Sequence, residues 1–238
     1  MKNHLISIIL PIHKQSDHIS SLIDQYLDAL KNLPAGLEML LVVNGQDEAS
    51  YKACQDIARK NGQVKVIYSR EAGWGKAVRL GISKAQGDII CYTNSARTKP
   101  KDLLLFLVYS IANPDVVLKA NRQIRDSLLR AVGSLIYNLE CRLLFALNSW
   151  DINGTPKVFP RKFKRFLELN RDDDLIDLEF SLICKEENYP ILEIPIFSAR
   201  RHSGYSTTKI PSAVKMYWGA LRFKKDSAKA TINALDQK

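Results

Sequence analysis

The chain has 238 residues, 46% of them hydrophobic and 25% charged, with a formal net charge of +10 at pH 7. The length is enough for one large domain or a domain and a half with a full core, and the composition is that of an ordinary globular protein rather than a disordered or fibrous one. The surplus of positive charge points to an anionic partner, which is nucleic acid, a membrane surface or a phosphorylated small molecule. Cys54, Cys91, Cys141 and Cys184 are far apart and form no CxxC pair. This argues for reduced thiols in a cytosolic setting and against a zinc site.

The first apolar run, Ile6 to Ile12, is too short to span a membrane and no small-residue cleavage site follows it. It reads as a strand over Leu5 to Leu10, ended by Pro11-Ile12-His13. Ile19, Leu22, Ile23, Tyr26, Leu27 and Leu30 then keep helical spacing, with Ser16 or Asp17 as the expected cap. Leu37 to Val43 is a second strand closed by Asn44-Gly45. Asp47 to Lys60 is a helix, and Val64 to Tyr68 a third strand. Gly73-Trp74-Gly75-Lys76 opens a helix that runs through Ala85. Gly87 to Pro100 contains a fourth apolar strand, Ile89 to Tyr92, that stops in Thr93-Asn94-Ser95. Four alternations of strand and helix require a parallel, Rossmann-like sheet.

The second half is less regular. Val116 to Lys119 is a candidate strand. Leu128 to Leu147 keeps a helical period interrupted by Arg130 and Arg142, which fits a buried or membrane-lying amphipathic helix, burial being the commoner fate. Val158-Phe159 follows the Asn153-Gly154 turn. Leu175 to Lys185 reads as a helix, Ile191 to Ile196 as a strand, and Arg200 to Lys209 as a basic turn. The tail mixes Trp218 and Phe223 with Lys215, Arg222, Lys224 and Lys225, a basic amphipathic stretch that either rests on anionic lipid or packs on the domain. The organisation expected is one domain over 1–212, with a nucleotide-binding half (1–100) and an acceptor half (101–212), and a tail over 213–238.

Ligands of open α/β sheets sit beyond the carboxyl ends of the strands. There the sequence places Pro11, His13 and Gln15, then Asn44, then Thr93, Asn94, Ser95 and Arg97. These are enough to hold a base, a ribose and a diphosphate; the alternative for the last group is that it only caps the next helix. Gly73 and Gly75 either let the backbone approach a ligand or permit a turn, and they are not a GxGxxG fingerprint.

The order of these motifs resembles the family-2 glycosyltransferases of GT-A fold, and most closely the polyprenyl-phosphate sugar transferases of the dolichyl-phosphate mannosyltransferase type. The resemblance runs from about residue 5 to residue 210. It rests on the Ile-Leu-Pro-Ile-His end of the first strand, on Val43-Asn44-Gly45, and on Gly73-Trp74-Gly75-Lys76-Ala77 with Gly81 and Ala85-Gln86-Gly87-Asp88. Asp151 with Gly154, Lys157, Phe159 and Arg161 matches loosely. Glu193-Ile194-Pro195-Ile196 and Arg201-His202-Ser203-Gly204-Tyr205-Ser206 match an EvPi strand and an RxxGxS loop. The resemblance implies that Arg201 and Ser206 hold phosphate and that Arg122 and Arg130 face the acceptor phosphate.

The sequence departs from the family at Thr93-Asn94-Ser95, which stands where the family has an Asp-x-Asp for Mg²⁺ or Mn²⁺. A hard divalent cation wants carboxylate oxygens, and this triplet has none. Either Arg97, Lys99, Arg201 or Lys76 neutralises the leaving diphosphate, or transfer has been lost. Asp151 is a candidate general base, sugar contact or turn cap. Asp172-Asp173-Asp174 reads as a helix N-cap rather than a displaced metal site, and Asp177 and Glu179 lie in a region where the family often places an acid.

The expectation is therefore an α/β GT-A protein that moves a sugar from a nucleotide-diphosphate sugar to a polyprenyl phosphate, from the cytoplasm or the inner membrane face. Asp151 and Arg201 are its catalytic candidates. The alternative is a non-catalytic nucleotide-sugar-binding module. Nucleic acid is disfavoured, because the basic residues are spread out and no aromatic-basic reading strand is present.

Overall fold

A computed structural model describes residues 4–123, 128–197 and 217–224, with the backbone alone for Leu129 and Arg130. Arg201, His202 and Ser206 lie outside the described residues, as does most of the expected tail.

The strands β1 (Leu5–Ile12), β2 (Gly36–Asn44), β3 (Val64–Ser69), β4 (Ile89–Tyr92), β5 (Val117–Arg122), β6 (Lys157–Pro160) and β7 (Ile191–Ile196) form one seven-stranded sheet. Their order is β3-β2-β1-β4-β6-β5-β7. β1 is parallel to β2 and β4, β2 to β3, and β5 to β7. β6 is inserted antiparallel between β4 and β5. β1, β2 and β4 are continuous Ile, Leu and Val runs because both of their faces are covered, as parallel strands require.

Helices α1 (Ile19–Leu30), α2 (Glu48–Lys60) and α4 (Pro100–Ala112) share one core layer with the sheet, in which Ile23, Tyr26, Leu41, Cys54 and Phe106 are buried. Helices α3 (Trp74–Lys84) and α6 (Ile176–Glu186) share the other, around Val78, Ile82, Tyr92, Phe159, Phe166 and Phe180. A short 3₁₀ turn, Lys164–Glu168, lies in this second layer. α5 (Leu128–Phe145) buries Tyr137, Cys141 and Phe145 in a third cluster with Leu178 and Leu182 of α6 and with a helix at 217–224. Among the described residues nothing covers the opposite face of α5, so neither complete burial nor complete exposure describes this helix. All four cysteines are buried and free.

The chain leaves β1 to build β2 and β3 on one side, then returns to place β4 on the other. The switch point between β1 and β4 is where such sheets open a crevice. Glycine keeps the elements that wall it close together. A Cβ on Gly75 would lie 2.4 Å from the Arg171 carbonyl oxygen, so this glycine admits the backbone of residues 171–173 onto the start of α3. The backbone that approaches is the protein's own.

Three expected caps are corrected. Asp17 accepts from the His18 ring at 2.6 Å, and His18 itself precedes α1 without a side-chain cap. The turn after β4 gives α4 no side-chain cap either, and Thr98, just ahead of that helix, pairs its hydroxyl with that of Thr93 at 2.6 Å. Of the three aspartates before α6, Asp173 accepts from the Leu175 backbone amide, whereas Asp172 pairs with Arg79.

Candidate functional site

Asn44 ends β2 with its side chain committed on both sides. Its amide donates to the Ile12 carbonyl at 2.9 Å, and its oxygen accepts from the Gly73 amide at 3.2 Å. It therefore ties the ends of β1 and β2 to the start of α3. His13, half-buried, packs its Nδ1 against the Asn44 carbonyl at 2.9 Å. Pro11 is buried within β1, paired in register with Val42. Asp47, the cap of α2, accepts from the Ser50 amide at 3.2 Å and also from the Lys14 amide, which clamps the turn after β1.

The triplet after β4 is locked from within. Ser95 is fully buried and donates to Gln15 Oε1 at 2.7 Å, and the Gln15 amide donates to Ser50. Thr93 is also buried, and Asn94 Oδ1 accepts from the Ala96 amide at 3.0 Å. Pro11, His13, Gln15, Asn44, Thr93, Asn94 and Ser95 are thus brought to one sheet edge, with half-buried Arg97 following in the same turn. Lys76 makes its contacts elsewhere. It pairs with Glu71 and lines a cavity with Arg79, Phe166, Leu169 and Asp172.

Asp177, in the first turn of α6, is buried and accepts from three elements at once. Trp74 Nε1 donates at 3.1 Å, the Tyr92 hydroxyl at 3.0 Å, and the Lys157 ammonium completes the set. Lys157 is fully buried on β6, and burial lowers its pKa to about 8 even against the pull of Asp177. Directly opposite on β5 is Lys119, equally buried, which donates to the Asp151 carbonyl at 2.6 Å and pairs with Glu193 at 2.8 Å. Two ammonium groups facing each other across a ladder repel, so each has its own acid. Burial and the adjacent Asp177 charge push the Tyr92 hydroxyl well above its usual range.

Asp151 is buried and forked with Arg122. The guanidinium donates to both carboxylate oxygens at 2.8 Å, and the Arg122 backbone amide adds a third bond at 2.9 Å. A bidentate, charge-assisted pair of this kind fixes orientation as well as energy. Arg161 is structural, donating to the Gly87 carbonyl at 2.6 Å and to that of Ala85. Sequence reasoning missed the pairing of Lys157 with Asp177 and of Lys119 with Glu193. Lysines inside short apolar strands were the available signal, since lysine is almost never fully buried unless paired.

The family model described as Glycosyl transferase family 2 matches residues 7–163. The chain belongs to that family. It is 27% identical over 139 residues to the undecaprenyl-phosphate 4-deoxy-4-formamido-L-arabinose transferase of Pseudomonas fluorescens (strain SBW25), a match covering 57% of this chain and 41% of that protein. The protein of the same description from Pectobacterium carotovorum subsp. carotovorum (strain PC1) is 25% identical over 222 residues, covering 91% and 66%. The chain thus spans less than two thirds of these relatives.

Among solved structures, mannosyl-3-phosphoglycerate synthase from Rubrobacter xylanophilus superposes with a TM-score of 0.72 at 14% identity, covering 97% of this chain and 75% of that one. Glucosyl-3-phosphoglycerate synthase from Mycobacterium tuberculosis, in complex with Mn²⁺, UDP and phosphoglyceric acid, gives 0.67 at 16%, covering 93% and 78%. The expected GT-A architecture is the one observed.

The donor set of this family-2 chain does not fit a divalent cation at the triplet. Thr93 and Ser95 are buried with their hydroxyls engaged, and no carboxylate stands in the triplet. Among the described residues no three His, Cys, Asp or Glu side chains gather as a metal site needs.

Proposed function

We propose that this family-2 chain transfers a sugar from a nucleotide-diphosphate sugar, held at the β1–β4 sheet edge, to a polyprenyl phosphate at the cytosolic membrane face. The observation that carries the reading is the Asp151–Arg122 fork. An acceptor phosphate oxygen is already anionic and needs no base, so Asp151 acts by holding Arg122 toward the acceptor rather than by taking a proton. Arg130, Arg201 and Ser206 are assigned to the same phosphate from the sequence resemblance, and the names of the curated relatives support that acceptor class.

On the donor side the triplet supplies no carboxylate, so the leaving diphosphate is stabilised by fixed cations. Arg97 and Lys99 follow the triplet and are the first candidates, with Arg201 joining from the acceptor half. Preorganised positive charge at a developing diphosphate needs no metal to be effective. His13 and Asn44 bound the nucleoside end.

The test is transfer of radiolabelled sugar from a panel of nucleotide-diphosphate sugars to a short-chain polyprenyl phosphate. Wild type is expected to form a lipid-linked product, and Arg201→Ala and Arg122→Ala each to lose it by at least about a hundredfold, the order expected for removing a donor to transition-state charge. Full activity in either variant removes that residue from the acceptor site.

One observation favours a second reading. Thr93, Ser95 and Asn94 spend their polar atoms on the protein itself, which suits a module that binds a nucleotide sugar without turning it over. That module would bind donor and form no product with any acceptor.

A further inference from the structure

α5 carries an open apolar stripe that nothing in the fold covers among the described residues. Leu128, Leu135 and Leu143 are 81%, 61% and 75% exposed, and Val132, Ile136 and Leu139 lie between them, each about half exposed or more. The spacing of three and four residues puts all six on one side of the helix, along about 23 Å of axis. Contiguous exposed apolar surface on this scale marks an interaction site rather than chance exposure. The helix at 217–224 lies alongside, with Tyr217 bonded to the Gly133 carbonyl and its ring edge-on to Tyr137, and Phe223 edge-on to Phe145. It adds exposed Trp218 and Leu221.

The charge around the stripe selects the occupant. Among the described side chains the two helices hold Arg142, Arg222 and Lys224 against one acid, Glu140. The Arg142 guanidinium lies 3.7 Å over the exposed Trp150 ring, and the Lys224 ammonium 5.6 Å over Phe145. Apolar and aromatic side chains bordered by cations match the interface of an anionic bilayer. A second copy of the chain would bring the same cations toward each other.

We infer that α5 and the 217–224 helix form a lipid-docking face for an anionic membrane surface. The Arg122–Asp151 fork joins the two ends of the segment that contains α5, so this face is anchored at the residues assigned above to the acceptor phosphate. The inference takes its purpose from that acceptor reading, and its evidence is independent of it. No helix among the described residues is long and apolar enough to cross a membrane, and the contact is peripheral.

The experiment is flotation of the full chain with vesicles of phosphatidylcholine alone, or with about 30% phosphatidylglycerol, neither containing polyprenyl phosphate. Wild type is expected to float with the anionic vesicles and to be released by salt. Leu135→Glu/Leu139→Glu, at exposed positions, is expected to keep its Tm and to bind these vesicles at least about tenfold more weakly. The proposal is overturned if wild type ignores anionic vesicles, binds both compositions equally, or floats as well in the double variant. It is also overturned if sedimentation finds wild type a dimer that the double variant dissociates. Because no substrate is present, vesicle binding without sugar transfer to any acceptor would remove the transferase reading and leave this one standing.

Discussion

Asp177 takes hydrogen bonds from Trp74, Tyr92 and Lys157, so one carboxylate joins α3, β4 and β6 beneath the sheet edge. Removing one partner of a buried ion pair leaves an uncompensated charge, at about 3–5 kcal/mol. Asp177→Asn is therefore expected to lower Tm by on the order of 10 °C. The double variant Asp177→Asn/Lys157→Met should recover a large part of that loss, because the penalty belongs to the orphaned ammonium. Thermal denaturation of wild type, the two single variants and the double variant reads the coupling, and additive losses would contradict it. Gly154 gives a second residue-scale test. A Cβ there would sit 1.8 Å from the Ala120 carbonyl oxygen, a backbone atom that cannot move aside. Gly154→Ala should fail to accumulate as folded protein, whereas Gly62→Ala, where nothing lies within 4 Å, should express normally.

At the scale of elements, α2 depends on its cap. Asp47 satisfies the Ser50 amide and also the Lys14 amide, so Asp47→Ala should cost about 1–2 kcal/mol in denaturant unfolding. An unchanged midpoint would show that the turn after β1 does not need the clamp. The strands other than β6 were legible in the sequence, the first four as apolar runs ended by turn residues, as with Leu37 to Val43 before Asn44-Gly45. Asp47 stood at the start of a helix read from the sequence, and in the fold it caps α2. Asp17, Thr98 and Asp172 are good capping types, but each had a partner close by that claimed it: His18, Thr93 and Arg79. The direction of β6 was hidden for a different reason. Four residues carry no signal of orientation, and its place between β4 and β5 is fixed by long-range pairing alone. The same is true of the site. Its positions at the strand ends could be read, but that Asn44 is a strap, Lys76 faces Asp172 and Asp151 grips Arg122 depends on contacts far apart in sequence.

The whole molecule should show these burials in its pH dependence. Burial pushes the Cys54, Cys141 and Cys184 thiols from an ordinary 9.0 to about 12, and Cys91 higher still. A thiol held protonated in the fold contributes stability that is whole below pH 9 and is lost as pH rises toward the folded value. Lys157 acts with the opposite sign, its penalty being present below about 8 and relieved as pH approaches 10.5. Above pH 9 four thiols outweigh one ammonium, so Tm should fall between pH 9 and pH 10.5; a rise over that interval would mean the thiols are not buried as described.

A nucleotide-diphosphate sugar held at the β1–β4 edge by fixed cations binds without help from a carboxylate-held metal. Thermal shift against UDP, GDP and their sugars, each with Mn²⁺ or with EDTA, tests it most directly. A ligand at about a hundred times its Kd adds about 2.7 kcal/mol to stability, well within what such a shift detects. Tm is expected to rise with one nucleotide sugar and to rise equally in EDTA. A rise that needs Mn²⁺, or no rise with any donor, would contradict it.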